Sequence, residues 1–160
     1  PNIKNIKEET ALDHAALYGR LATVKLLLES HPEMGGPYTS YGSALYTHTP
    51  LHLASRNGHT SVVEELLRIG IDINVRTSRG TALHEAALCG KIGVVQILLK
   101  QGINPDLKDQ TDRTVLDVME ELKTQRTNEI SEIIRNHKRG EKENKHGGKG
   151  RQQRTTRTMK

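Results

Sequence analysis

The chain repeats itself, and this constrains its fold more than any other feature. Four segments share one pattern: TALDHAALYG from Thr10, TPLHLASRNG from Thr49, TALHEAALCG from Thr81 and TVLDVMEELK from Thr114. They begin 39, 32 and 33 residues apart. Each of the first three is followed by a second apolar motif at a constant offset: TVKLLLES from Thr23, VVEELLRIG from Val62 and VVQILLKQG from Val94. The fourth is followed by the weaker EISEIIRN from Glu129. Periods of this size mark stacked arrays, in which no single unit can bury its apolar face alone.

One unit can be read residue by residue. Thr49 suits a helix N-cap, and Pro50 suits the first helical position, where a missing N–H costs nothing. Leu51, Ala54 and Ser55 then fall on one helical face. Gly58 can take the left-handed conformation that ends the helix. A second helix follows with Val62, Val63, Leu66 and Leu67 on its apolar face, and Gly70 ends it. A helix pair this short is marginal alone, because its nucleation cost is not offset; stacking neighbours buries the faces continuously. Composition agrees. With no Phe, no Trp and only four Tyr, the core must be aliphatic, so it should be thin and extended rather than one large ball.

These residues resemble the ankyrin repeat. Its T-P-L-H-x-A signature stands as Thr49–Ala54 and, with one change, as Thr81–Ala86, and the unit length near 33 agrees. The resemblance covers about residues 2–137 and implies an all-α solenoid of paired short helices joined by finger loops. The units read as a trailing finger of an upstream repeat (1–9), a repeat with an inserted loop (10–48), two plain repeats (49–80 and 81–113), a capping repeat (114–137) and a disordered basic tail (138–160). The stretch His31–His48 is too long for a plain finger, and its glycines with Tyr38, Tyr41 and Tyr46 suggest the insertion. Asp13 and Asp117 replace the signature histidine that His52 and His84 keep. His14 stands where Leu is usual and reads as a buried polar group needing a partner. In the last unit Met119, Glu120 and Lys123 replace the small pair and the helix-ending Gly, as expected of a cap with a polar outer face. The run ALHEAALCGK, the unit TVLDVMEEL and the run TALDHAALYGRLATVKLLLESHP are also similar to the last repeats of ankyrin–SAM adaptors of the Caskin and Odin kind. That similarity implies a scaffold in neuronal or receptor-tyrosine-kinase signalling.

The charge is unevenly placed. Residues 138–160 carry nine Lys or Arg against two Glu; residues 1–137 carry fifteen against seventeen. The basic stretch has one hydrophobic residue, Met159, too little apolar surface to offset its ordering entropy. Its cations are scattered and no aromatic residue stands among them for base stacking. A solvated linker is therefore favoured over a nucleic-acid or chromatin-binding patch, which is the alternative function. No apolar run approaches the roughly 18 residues of a membrane span. A single Cys89 excludes an intrachain disulfide and fits a reducing, cytoplasmic setting, with a nuclear one also compatible. The chain begins at Pro1, shows no signal peptide and reads as a monomeric piece of a longer protein.

Catalytic and cofactor motifs fail on inspection. His84-Glu85 begins an H-E-x-x-H zinc motif, but position 88 is Leu. His52 and His84 recur once per unit and are expected to tie helix to finger rather than to hold metal. Cys89 has no evident base or orienting group. The Gly35–Gly42 loop lacks a Gly-Lys-Ser/Thr ending, and Gly147–Gly150 follows no strand. The expectation is a non-enzymatic chain without cofactor or metal. The ankyrin resemblance further implies a protein or peptide partner, held in a concave groove lined by first-helix ends and fingers. The residues implied there are Leu17, Tyr18, Arg56, Asn57, Leu88 and Cys89 on the helix ends. Arg76, Thr77, Ser78 and Arg79 join them from one finger, and Lys108, Asp109, Gln110 and Thr111 from the next. Leu17, Tyr18 and Leu88 around a central Arg56 are expected to form the anchor cluster, Tyr and Arg being favoured hot-spot types.

Overall fold

Each signature threonine starts a helix at the following residue. The computed structural model describes residues 10–32 and 48–147, and these form eight helices. The first-helix series is α1 (Ala11–Leu17), α3 (Pro50–Asn57), α5 (Ala82–Leu88) and α7 (Val115–Leu122). The second-helix series is α2 (Leu21–Ser30), α4 (Thr60–Arg68), α6 (Ile92–Lys100) and α8 (Gln125–Gly147). Each first helix packs against its own second helix and against the next first helix; α2, α4, α6 and α8 form the matching second row. The only β-type pairings among the described residues are isolated bridges, Thr77 with Gly80 and Lys108 with Thr114. The fold is thus an all-helical stack of paired helices with fingers, as the repeat predicted.

The threonines explain why the helices begin where they do. The Thr10, Thr49 and Thr114 hydroxyls accept from the amides of Asp13, His52 and Asp117 at 3.2, 3.5 and 3.3 Å. In the first and last units the partner is a carboxylate that accepts in return from the threonine N–H at 2.8 Å, closing a capping box. In the middle units the partner is an imidazole. Gly80, at φ 104°, turns the chain directly into the next threonine; a Cβ there would lie 2.7 Å from the His84 ring. Only glycine suits that corner.

One contiguous aliphatic core runs along the stack, from Leu12 and Val24 through Leu51, Leu66, Leu83 and Leu98 to Met119, Ile130 and Ile134. Leu12, Leu51 and Leu83 hold the same place in their units and are fully buried. Their counterpart Leu116 is only partly buried, and Val115 takes the core instead.

Two expectations change. The helix of the last unit does not stop at 137: α8 continues to Gly147, so residues 138–147 are helical rather than disordered. Ile130 and Ile134 seat the helix on the core, and residues 135–147 contain no proline and no β-branched residue. Once nucleated, a run rich in Lys, Arg and Glu extends at little cost even with nothing to bury. An ion pair from Lys138 to Asp106 also ties the extension to the preceding unit. His14 is half-buried rather than buried, and its ring stacks on that of Tyr18 at 6.0 Å between centroids. Lys123 ends α7 in the left-handed conformation that glycine takes elsewhere, at φ 41°. The upstream finger (1–9), most of the inserted loop (33–47) with its three tyrosines, and 148–160 lie outside the described residues.

Candidate protein-interaction surface

The histidines of the middle units join helix starts to fingers. The His52 Nδ1 accepts from the Thr49 hydroxyl at 2.8 Å, which leaves Nε2–H to donate to the Gly80 carbonyl at 3.1 Å. In the next unit the Thr81 N–H donates to His84 Nδ1 at 3.2 Å, and Nε2–H donates to the Arg113 carbonyl at 3.2 Å. Both rings are neutral in this role. Burial holds the His52 pKa down at about 4, against partial relief from the Gly80 carbonyl. Burial likewise lowers that of His84. Each ring thus fixes the following finger against the helix before it. Asp117 closes its cap but has no donor with which to make such a tie.

The finger Arg76–Arg79 places its side chains on both sides of its turn. Thr77 is buried; its hydroxyl reaches the Gly80 carbonyl at 3.4 Å and accepts from the Arg79 N–H at 3.2 Å. Ser78 is half-buried, and Arg76 and Arg79 are exposed. In the next finger Asp109 is the organiser. Its carboxylate accepts from the Thr111 amide (2.8 Å), the Thr111 hydroxyl (2.7 Å), the Arg113 amide (3.1 Å) and the Arg113 guanidinium (3.2 Å). Desolvation raises its pKa, but these donors more than offset that and hold it at about 2. Lys108 pairs with Asp112 at 3.0 Å. Gln110 and Thr111 are exposed. The side chains of Thr77 and Asp109 therefore hold the fingers in shape and face inward, unlike those of Arg76, Arg79 and Gln110.

The helix ends lie beside these fingers. Tyr18 is 63% exposed and Leu88 40%. Leu17 and Cys89 are half-buried, and Asn57 is exposed with its amide donating to the Leu53 carbonyl at 2.8 Å. Arg56 is half-buried and already engaged within the protein. Its Nε and Nη2 donate to the two carboxylate oxygens of Glu85 at 3.0 and 3.2 Å, and Arg79 Nε donates to Glu85 Oε1 at 2.6 Å. The Glu85 side chain is 2% exposed, while those of Arg56 and Arg79 are 36% and 50%. A buried carboxylate is tolerated when it is paired and hydrogen-bonded on both oxygens. This triad spans two repeats and a finger, and the sequence reading missed it. The signal was available: Glu85 occupies the place in its unit that Leu53, also buried, holds in the one before. An acid in an aliphatic slot calls for cationic neighbours.

Among the described residues no group of three or more His, Cys, Asp or Glu is placed to hold a metal ion. No helix there is long and apolar enough to cross a membrane.

Paired helices capped by threonine, fingers pinned by the His of the T-x-L-H signature and a continuous aliphatic core together define a repeat class. The family model for ankyrin repeats (3 copies) matches residues 36–109. The chain is an ankyrin-repeat protein. It is 42% identical to human Caskin-2 over 88 residues, 54% of this chain and 7% of Caskin-2. It is 36% identical to the E3 ubiquitin-protein ligase hecd-1 of Caenorhabditis elegans over 81 residues, 51% of this chain and 3% of the ligase. It is also 33% identical to human transient receptor potential cation channel subfamily A member 1 over 96 residues, 60% of this chain and 8% of the channel. The chain thus spans less than a tenth of the length of each of these relatives, and they are diverse.

Proposed function

We propose that this array is a non-enzymatic protein-interaction module that holds a protein or peptide against the surface of first-helix ends and fingers. One observation supports this above all. The threonine, leucine and small-residue slots that build the stack repeat their chemistry in the first three units and are largely buried, whereas the two slots before each helix end vary and stay at least partly in solvent. These hold Leu17-Tyr18, Arg56-Asn57 and Leu88-Cys89, with Tyr18 and Leu88 standing well out in solvent. Exposed large side chains on a rigid frame give contact area at low entropic cost, and Tyr beside Arg is a favoured hot-spot composition.

The parent molecule, on this reading, is a cytoplasmic signalling adaptor or scaffold of the Caskin and Odin kind, with receptor-tyrosine-kinase or synaptic components as partners. Similarity to Caskin-2 supports that choice. Nucleic-acid binding through the basic segment has less support, because Lys138, the first of its cations, is engaged by Asp106. The test is affinity for a purified partner before and after the double substitution of Tyr18 and Leu88 by Ala. A loss of about tenfold or more is expected if these side chains are anchors. Unchanged affinity in a folded variant places the partner elsewhere.

A further inference from the structure

We infer that the Arg56–Glu85–Arg79 triad is a clamp for an acidic side chain, Asp or Glu, of a bound peptide. This rests on the surface proposed above and names the chemistry of its occupant.

The argument begins with charge. Two guanidiniums share one carboxylate, which leaves one net positive charge. The carboxylate is the buried member and the guanidiniums are the accessible ones, so an approaching ligand meets cation first. On the next finger the picture is mixed, since the carboxylate of Asp112, paired with Lys108, is exposed. Asp109 is turned inward among its donors, while exposed Arg76 stands three residues before Arg79, its guanidinium donating to the Lys108 carbonyl at 3.4 Å.

Donor count points the same way. Arg79 engages Glu85 through Nε alone, so neither of its terminal amino groups has a partner among the described residues; Arg56 keeps one, Nη1. The two terminal amino groups of Arg79 form a fork that fits a carboxylate in two places at once, and Arg56 adds one donor beside it. Glu85 holds the planes of both guanidiniums before any ligand arrives, so little side-chain freedom remains to be lost on binding. Leu88 stands one helical turn after Glu85 on the same face of α5. A segment placing an acidic residue on the clamp and an apolar residue three or so positions away on Leu88 would match both features.

The experiment uses the full chain and peptide libraries. A display library of random twelve-residue peptides is selected on the wild-type protein. Selected sequences are then synthesised with a fluorophore and titrated by anisotropy. The expected result is enrichment of Asp or Glu at one position next to apolar residues. Changing that acid to its amide should weaken binding about tenfold. Arg79→Gln should cost a similar factor against the acidic peptide and almost nothing against the amide, so that the two losses do not add. Because Arg79 partners the buried Glu85, its loss should lower the urea midpoint; a cooperative transition, at whatever midpoint, shows that the variant is folded. Selected peptides without acidic preference, or equal losses for Arg79→Gln with acid and amide, overturn the clamp. If those peptides still lose affinity on Tyr18→Ala and Leu88→Ala, the surface itself stands. If no peptide is selected, or the selected ones ignore all three substitutions, surface and clamp fail together.

Discussion

The middle repeats and the last one close the same helix start with different groups, and the difference is instructive. In the units beginning at Thr49 and Thr81, a histidine both completes the cap and donates to the carbonyl of a finger 28 or 29 residues on. In the unit beginning at Thr114, Asp117 completes the cap through two contacts to Thr114 and goes no further. A carboxylate can only accept, so it serves local structure; an imidazole has a donor left over, so it serves the joint between units. The last unit also keeps Leu116 half out of the core and ends its helix with a strained lysine. Within this comparison, the side-chain ties from helix start to a distant finger belong to the middle units.

The sharpest way to break this contrast is in the core. Leu83→Ala should cost about 4 kcal/mol, because a fully buried leucine between two neighbouring units leaves a cavity. Leu116→Ala should cost about 1 kcal/mol, since its side chain is already partly in water. Urea unfolding of the two variants measures both, and equal losses would show that the last unit is as tightly coupled as the middle.

Acid should find the middle units next. Unfolded histidine titrates near 6.5 and folded His52 at about 4, so in that window only the unfolded chain takes up the proton. Stability is intact above pH 6.5 and should fall by about 3 kcal/mol as the pH approaches 4. His84 acts in the same direction. A later decline, between 3.8 and about 2, belongs to Asp109: in that window the unfolded carboxylate takes up a proton while the folded one, held by Thr111 and Arg113, does not. Unfolding midpoints measured from pH 7.5 to 4 test the first window, and a flat profile there would rule out the neutral-histidine joint.

Removing the groups one at a time separates cap from joint. His52→Ala removes the donor that ties α3 to the Gly80 carbonyl, which keeps only its own finger's Thr77, together with the acceptor of the Thr49 hydroxyl, and should cost about 2 kcal/mol. Asp117→Ala removes only an exposed cap interaction and should cost about 1 kcal/mol. Thermal melts of the pair decide it; a smaller loss for His52→Ala would mean the finger contact adds nothing. The smallest change is a gain. Lys123→Gly relieves the left-handed strain at the end of α7 and should stabilise by about 0.5 kcal/mol, visible as a small rise in midpoint.

Much of this was legible in the chain. The four threonines, the leucines two positions after the first three, and the glycines that end α3 and α4 each specify a local event within one unit. Spacing alone showed that the units stack. The finger role of His52 and His84 is what the ankyrin resemblance implies, and the structure agrees. Other features were not legible for definite reasons. The length of α8 escaped because a scarcity of apolar residues argues against burial but says nothing of a helix already seated by Ile130 and Ile134. A Leu is usual in the slot of His14, which argues for burial, yet α1 leaves it partly in solvent against Tyr18. The slot of Arg56 before a helix-ending glycine is visible in the chain, but its engagement by Glu85 depends on a residue 29 positions away.

What the residues determined by themselves was the unit: where each helix starts, which face is apolar, and that no unit suffices alone. Those are short-range matters of capping, periodicity and backbone freedom. The lateral offset between neighbouring units was decided only in the tertiary structure. That offset brings Arg56 from one repeat and Arg79 from a finger onto the two oxygens of a single buried carboxylate, because charge pairs between units depend on distances that spacing along the chain does not specify.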